Sequence, residues 1–269
     1  MEKTVFTFQE NATIKTSIKD VLNTCLTSLD GFLKRSIEDL PDSINLIIDK
    51  IISQFGNIEE KEISIDSDYP LLKKYPKLFK KSINMVLSLI NYEKYNQYPI
   101  EEQIEVEVSD LLRTYGQFEY YYSSSLIAIM SREEAIKYIE TQEAKKVISR
   151  RDSSNYFNTL EDLVKYLKTT IDFWQTQEAI AEVINGAKMA FKIKKCRWAD
   201  LLKDLDSGFG YAMLCSTDFE QAKNYNIAYR LTRKKTLMEG DEYCDFCYHD
   251  TRENKDLTHP SEIFWNNFE

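Results

Sequence analysis

Four of the five cysteines, Cys196, Cys215, Cys244 and Cys247, lie between residues 195 and 250, and both histidines, His249 and His259, lie in or just past that stretch. Residues 1–190 hold one cysteine, Cys25, and no histidine. Chemistry that needs a thiolate or an imidazole must therefore come mostly from the last third of the chain. Cys215-Ser216-Thr217-Asp218 places a thiol and a carboxylate three residues apart, on one face if the segment is a helical turn. That pairing suits attack on an electrophilic carbon, with sulfur as nucleophile and the carboxylate handling the proton.

A second candidate pair is Cys244 and Asp245. In a regular strand adjacent residues face opposite ways, so the two cannot enter one pocket together. Alternation groups Cys244 with Phe246 and Tyr248, and Asp245 with Cys247 and His249. If the first face is a pocket, Cys244 is a nucleophile candidate; if it is core, Cys244 is a packing thiol. Cys196 completes the thiols to be weighed. Arg233 can bind a substrate carboxylate or lie on a surface strand. Asn224 can meet a ligand or cap a turn, and Asp241, after Gly240, suits a turn-forming side chain as well as a ligand contact. Cys244-x-x-Cys247 with His249 has zinc-like local spacing, but a second such pair is missing. No metal or other cofactor is expected. His259 reads as a loop residue of a polar tail.

These residues need elements to hold them. Cys196–Leu205 reads as a helix with Trp198, Leu201, Leu202 and Leu205 on one face. Tyr211–Cys215 is open between strand and helix start. Ile227–Leu237 alternates apolar with polar and Tyr243–Tyr248 follows a Glu239-Gly240-Asp241 turn, so the two predict an antiparallel hairpin. Ile180–Ile184 and Met189–Ile193 flank Asn185-Gly186 and suggest two more strands, although the first can also extend the preceding helix. Upstream, three- and four-residue spacing predicts helices from Ile18 to Phe32, with Cys25 on the apolar stripe, and from Ile44 to Ile52. Further helices are expected over 80–92, 111–130, from the Ser131-Arg132-Glu133-Glu134 capping box onward, and from Asn158-Thr159 to Trp174. Helical pattern dominates from Ile104 to about Lys146. The acidic stretch 57–70 is the best linker candidate.

The whole chain sets outer bounds. With 269 residues, 43% hydrophobic and 13% aromatic, it has the composition of a folded protein. Seven glycines and five prolines are few for an all-β sandwich. A net charge of −9 argues against nucleic-acid binding. The basic runs Lys192–Arg197 and Arg230–Lys235 read as solvated element ends. No secretory signal and no membrane span is visible, and an odd cysteine count fits reduced thiols in a cytoplasm.

The run Cys215-Ser216-Thr217-Asp218, then Asn224, then Arg233-x-x-Thr236-Leu237-x-x-Gly240-Asp241-x-x-Cys244-Asp245-Phe246 resembles the L-2-amino-thiazoline-4-carboxylic acid hydrolase family, over roughly residues 105–250. Its Gly-Asp-x-x-Cys-Asp-Phe ending is also similar to 4-vinyl-reductase-like small-molecule-binding domains. One departure stands out: the residue after Cys-Asp-Phe is commonly Arg in the family and is Cys247 here. If that Arg holds a substrate carboxylate, its loss bears on the substrate.

The resemblance implies a cytoplasmic, metal-independent, cysteine-dependent hydrolase acting on a C–N or C–S bond of a small cyclic amidine or thiazoline amino-acid derivative. Catalysis is expected from Cys215, Asp218, Cys244 and Asp245, and substrate binding from Asn224, Arg233, Asp241, Phe246 and Cys196. The alternative is a non-catalytic small-molecule-binding module, and a third reading is a metal- or redox-responsive protein using Cys244 and Cys247. The partner is a small molecule; a homo-oligomer is compatible with the sequence. The expected fold is α+β: an N-terminal helical region over residues 1–100, then a domain over 101–269 with helices packed on a mostly antiparallel sheet.

Overall fold

A computed structural model describes residues 3–58, 61, 63, 65, 68–151 and 156–269. The chain divides into two compact units, residues 13–137 and residues 1–12 with 138–269. The acidic stretch 57–70 belongs to the first of these and lies partly outside the described residues.

The unit of residues 13–137 is helical, with a two-stranded antiparallel ribbon of β2 (Thr13–Thr16) and β3 (Ile104–Glu107). Helix α1 (Ile18–Asp39) starts where the Ser17 hydroxyl accepts from the Asp20 amide and buries Ile18, Val21, Leu22, Cys25, Leu26, Leu29 and Phe32, the stripe that the spacing predicts. Cys25 is buried among them, and desolvation pushes its thiol pKa far up, as expected of an inert packing residue. Helices α2 (Ile44–Gln54), α3 (Pro76–Leu89) and α4 (Val108–Ser124) complete the unit. The strand at 104–107 departs from the helical expectation there. Its Ile-Glu-Val-Glu run alternates buried with more exposed residues, which a period of two satisfies and a helix does not.

Helix α5 (Arg132–Ser149) contains the division between the units. The Ser131–Glu134 capping box forms reciprocally: Glu134 Oε2 accepts from the Ser131 amide (2.9 Å) and Ser131 Oγ from the Glu134 amide (3.3 Å).

The unit of residues 1–12 and 138–269 is built on a five-stranded sheet, ordered β1-β4-β5-β7-β6, with every neighbouring pair antiparallel. The strands are β1 (Thr4–Phe6), β4 (Gln177–Ile184), β5 (Lys188–Cys196), β6 (Tyr229–Thr232) and β7 (Cys244–Asp250). The architecture is therefore α+β with an antiparallel sheet, as expected. The β4–β5 hairpin closes through Asn185 (φ 52°) and Gly186 (φ 68°), the pair of left-handed residues that a tight twisted hairpin requires.

Between β5 and β6 the chain forms α7 (Arg197–Leu202), α8 (Ser207–Gly210) and α9 (Asp218–Tyr225), and one sheet face packs on α9 and on α6 (Leu160–Trp174). Leu163, Leu167 and Ile171 of α6 and Ala222 of α9 meet Phe191, Leu231, Phe246 and Tyr248 there. The other face carries Ala190 and Cys247 and is covered by Trp265 and Phe268, from and just after α10 (Glu262–Asn267).

The basic runs are only in part the solvated element ends expected: Lys195 and Lys234 are exposed, but other members are buried. Lys192 is buried and donates to the carbonyls of Trp265 (2.7 Å) and Phe268 (3.3 Å), at the end of α10. Arg197 is buried and donates to the carbonyls of Gln175, Gln9 and Glu10. Lys192 is an inward-facing strand residue and Arg197 opens the following helix, and both charges serve carbonyls outside the sheet ladder.

Candidate functional site

Strand β7 has all seven residues buried, and its alternation sorts the candidate residues onto two faces. Cys244, Phe246 and Tyr248 face the α6–α9 side. Asp245, Cys247 and His249 face the side covered by the C-terminal tail. Cys244 therefore does not share a site with Cys247 and His249, and the zinc-like spacing does not converge on one ion. Among the described residues no group of three or more His, Cys, Asp or Glu is placed to hold a metal.

On the α6–α9 side the structure brings Cys215, Asp218 and Arg233 together. Chain order and period two put Arg233 on the same face as Leu231, just past the last paired residue of β6, Thr232. Its side chain is 3% exposed. Arg233 Nη1 donates to Asp218 Oδ2 at 2.6 Å, and Nη2 donates to the Cys215 carbonyl at 3.1 Å. The guanidinium lies 5.0 Å from the Phe246 ring and 5.2 Å from those of Tyr211 and Phe219. A buried cation is tolerated only when paired, and the carboxylate, the carbonyl and three aromatic faces supply that pairing.

Asp218 is the first residue of α9, where the helix N-terminus favours a negative charge. Burial nevertheless dominates: it pushes the Asp218 carboxyl up to about 6, with the opposing pull of Arg233 outweighed. Its side chain keeps 31% of its accessibility, so it is crowded by protein yet open to solvent and to a ligand.

Cys215 ends a π-helical turn over Tyr211–Cys215, a wider turn than either the strand or the helix start left open by the sequence. The turn begins beside Gly210, where a Cβ would lie 2.7 Å from Met238 Sδ, so a larger residue there would have to push the flexible Met238 side chain aside. Cys215 and Asp218 are electrostatic neighbours. Burial, then the charge of Asp218, push the Cys215 thiol well above its ordinary pKa, with Arg233 pulling the other way. Cys196, at the end of β5, is pushed up to about 12, mainly by burial. Cys244 is raised by burial too. Its sulfur accepts from the Leu237 amide (3.2 Å) and donates to Thr236 Oγ1 (3.7 Å). Cys215 and Cys244 both lie within electrostatic reach of Asp218 and Arg233, and Cys196 within reach of the two thiols but not of that pair.

The other candidates lie elsewhere or are fully engaged. Asp245 is on the far face, where its carboxylate accepts from the amides of Lys234 and Lys235 (both 2.7 Å) and stands 2.9 Å from His259 Nε2. Although burial opposes it, those bonds hold its carboxyl below the usual range. Asn224 accepts from Arg151 Nε (2.8 Å) and donates to the Val147 carbonyl (2.9 Å), tying the end of α5 to α9. Asp241 accepts from the Thr236 amide (2.7 Å), closing its own turn. Phe246 forms the floor under Arg233. Cys247 is buried against Ala190 and Trp265 on the opposite face, so the departure from the family's Arg does not touch the Cys215–Asp218–Arg233 cluster.

Tyr211 and Phe219 are not among the residues that the sequence singles out. Their signal is positional: they stand four residues before and four after Cys215. Tyr211 also accepts a hydrogen bond from Arg233, and Tyr225 and Tyr248 lie within electrostatic reach of Asp218.

Residues 113–248 match the model of the family described as L-2-amino-thiazoline-4-carboxylic acid hydrolase. The match contains the whole Cys215–Asp218–Arg233 cluster and excludes His259. No curated protein matches the chain. Similar solved structures include the Fe(II) unliganded H-NOX protein from K. algicida, with 13% identity over 91% of this chain and 100% of that one. A point mutant of that H-NOX protein matches with 13% identity over 90% of this chain and 98% of that one. The TM-score is 0.26 for both, too low to carry a likeness of fold.

Proposed function

The chain belongs to the L-2-amino-thiazoline-4-carboxylic acid hydrolase family, and we propose that it hydrolyses a small cyclic amidine of the thiazoline amino-acid class, with Cys215 as nucleophile and Asp218 as acid–base. The observation that carries this reading is the ion pair of buried Arg233 with partly exposed Asp218 beside Cys215, with the Asp218 carboxyl at about 6. A carboxyl at that value is ionised at neutral pH and readily reprotonated, which suits proton transfer in both directions.

Burial disfavours a standing Cys215 thiolate, so the proton leaves during attack rather than before it. The Cys215 sulfur adds to the ring carbon between nitrogen and sulfur while its proton passes to Asp218. The ring heteroatom that leaves that carbon takes the proton back, and an amidine-type thioester remains on Cys215. Asp218 then deprotonates a water that attacks the same carbon. Cys215 departs as the thiol and a carbamoyl-cysteine is released, one water having been added overall. Arg233 keeps Asp218 in place and, through the Cys215 carbonyl, ties the nucleophile to it.

The test is mass spectrometry of the protein with L-2-amino-thiazoline-4-carboxylate, using wild type, Cys215→Ala and Cys244→Ala. Product from wild type and Cys244→Ala but not from Cys215→Ala is expected. Product from Cys215→Ala at the wild-type rate would remove the nucleophile from this reading. No product from wild type would remove the substrate.

A further inference from the structure

Arg233 stands where the sheet ends. The β6–β7 ladder closes at the Thr232–Cys247 pair, and beyond it one long backbone bond to β7 remains, from the Asp245 amide to the Lys235 carbonyl at 3.4 Å. The neighbours of Arg233 are held by side chains on the opposite face. On one side, Thr232 Oγ1 sits 2.9 Å from His259 Nδ1 and 2.9 Å from His249 Nε2. On the other, the amides of Lys234 and Lys235 both donate to Asp245 Oδ1. The two tethers are joined by one residue, because His259 Nε2, which also lies 3.1 Å from the Trp265 indole nitrogen, stands 2.9 Å from Asp245 Oδ2.

The joint is built. The side chains of His259 and Asp245 are 5% and 3% exposed, and the Trp265 ring stacks on the imidazole at 5.6 Å. Lys188 holds the preceding tail through Asp256 (2.9 Å) and the Thr258 carbonyl (3.2 Å), and Lys235 holds Glu262 (2.6 Å). A histidine that reads as a loop residue in the sequence thus bridges the two chain segments on either side of Arg233.

We propose that His259 is a positioning residue: from the far side of the sheet it closes the Thr232–His259–Asp245 bridge that fixes the Arg233 backbone, and so sets how closely the guanidinium engages Asp218. The proposal rests on the reading of Asp218 and Arg233 given above. It also gives the C-terminal tail a part in the site from the opposite face of the sheet. Without His259, Thr232 and Asp245 keep bonds to His249 and to the two amides, but the bridge between the two sides is gone. The guanidinium then moves relative to Asp218, and the carboxyl loses part of the charge that opposes its desolvation.

The test reads Asp218 directly and needs no turnover. The carboxyl resonance of Asp218 is titrated by NMR in full-length protein labelled with 13C-aspartate, assigned with Asp218→Asn. Wild type, His259→Ala, His259→Gln and Glu262→Ala are compared, with kcat/KM on the thiazoline measured alongside. The expected result is an upward shift of the Asp218 midpoint by about half a pH unit or more in His259→Ala. His259→Gln, which offers a donor toward Asp245, should recover part of it, and Glu262→Ala, which loosens the tail but not the bridge, should match wild type. A folded His259→Ala with the wild-type midpoint overturns the proposal, as does an equal shift in Glu262→Ala. If His259→Ala does not fold, Thr232→Val decides: it removes the hydroxyl between the two rings at constant shape, and an unchanged midpoint overturns the proposal. A midpoint that moves with His259 while no variant turns over the thiazoline sinks the substrate assignment and leaves the positioning role standing.

Discussion

Replacing Asp218 by Asn keeps the shape of the side chain and removes its ability to take a proton. In the wild type, burial has raised the Asp218 carboxyl to about 6. The ionised, proton-accepting form then makes up about nine-tenths of the protein at pH 7 and about one-tenth at pH 5. If Asp218 is the general base, kcat/KM should fall about tenfold between those two pH values, along a single ionisation near pH 6. The sign follows from the role: activity requires the deprotonated carboxyl, so it is lost as pH falls through that value. Asp218→Asn should lower kcat/KM at pH 7 by about 10²–10⁴-fold, the range general-base removal produces, and should abolish the acid limb. The assay is the pH dependence of kcat/KM for ring opening, with thermal melts over the same range to show that both proteins stay folded. A limb near pH 9 that survives in Asp218→Asn would refute the reasoning, because it would mean that a free thiolate attacks without help from the carboxylate.

Arg233→Met should move the acid limb upward by about one pH unit or more, since the cation that opposes Asp218 desolvation is gone; the same pH profile reads it. His249 is fully buried and its pKa is lowered to about 4, first by burial and then by the charge of Lys188. Its folded value lies below its unfolded one, so its contribution to stability is present above about pH 6.5 and is lost as pH falls through about 4. Denaturant melts should show up to about 3 kcal/mol lost over that window, and His249→Gln should flatten the slope. Asp241→Ala should cost about 1 kcal/mol of stability through the lost Thr236 amide bond and leave KM unchanged, separating its turn role from substrate binding. Phe191→Ala, in the core beneath Phe246 and against Phe6, should cost about 3–5 kcal/mol by urea denaturation.

Much of the scaffold is legible because it rests on local rules. The Ser131–Glu134 box, the Ser17 cap and the Asn185-Gly186 turn each involve residues within a few positions of one another, and each forms. Part of the expected strand over 227–237 does not form. Only Tyr229–Thr232 pairs, because beyond Thr232 the amides of Lys234 and Lys235 turn to the Asp245 carboxylate instead of a neighbouring strand. Alternation alone does not reveal which side chain will compete for an amide. The basic runs depart from expectation for a related reason. A lysine or arginine in a strand is solvated unless carbonyls that can accept lie in front of it, and for Lys192 these come from residues more than 70 positions away.

At the site, the sequence by itself determined two things. Period two in 244–249 decided that Cys244 and Phe246 share one face while Asp245, Cys247 and His249 share the other. Short spacing decided that Cys215 and Asp218 are neighbours. Both follow from backbone geometry, which repeats whatever the rest of the chain does. The tertiary structure decided the remainder: that Arg233 meets Asp218, that Asn224 ties α9 to the end of α5, that Asp241 closes its own turn, and that His259 reaches back to flank Arg233. These outcomes depend on which charges are desolvated together and which hydrogen-bond partners the fold brings within about 3 Å. Desolvation and hydrogen bonding are set by neighbours in space, and outside the Asp241 turn those neighbours lie 14–77 residues apart along the chain.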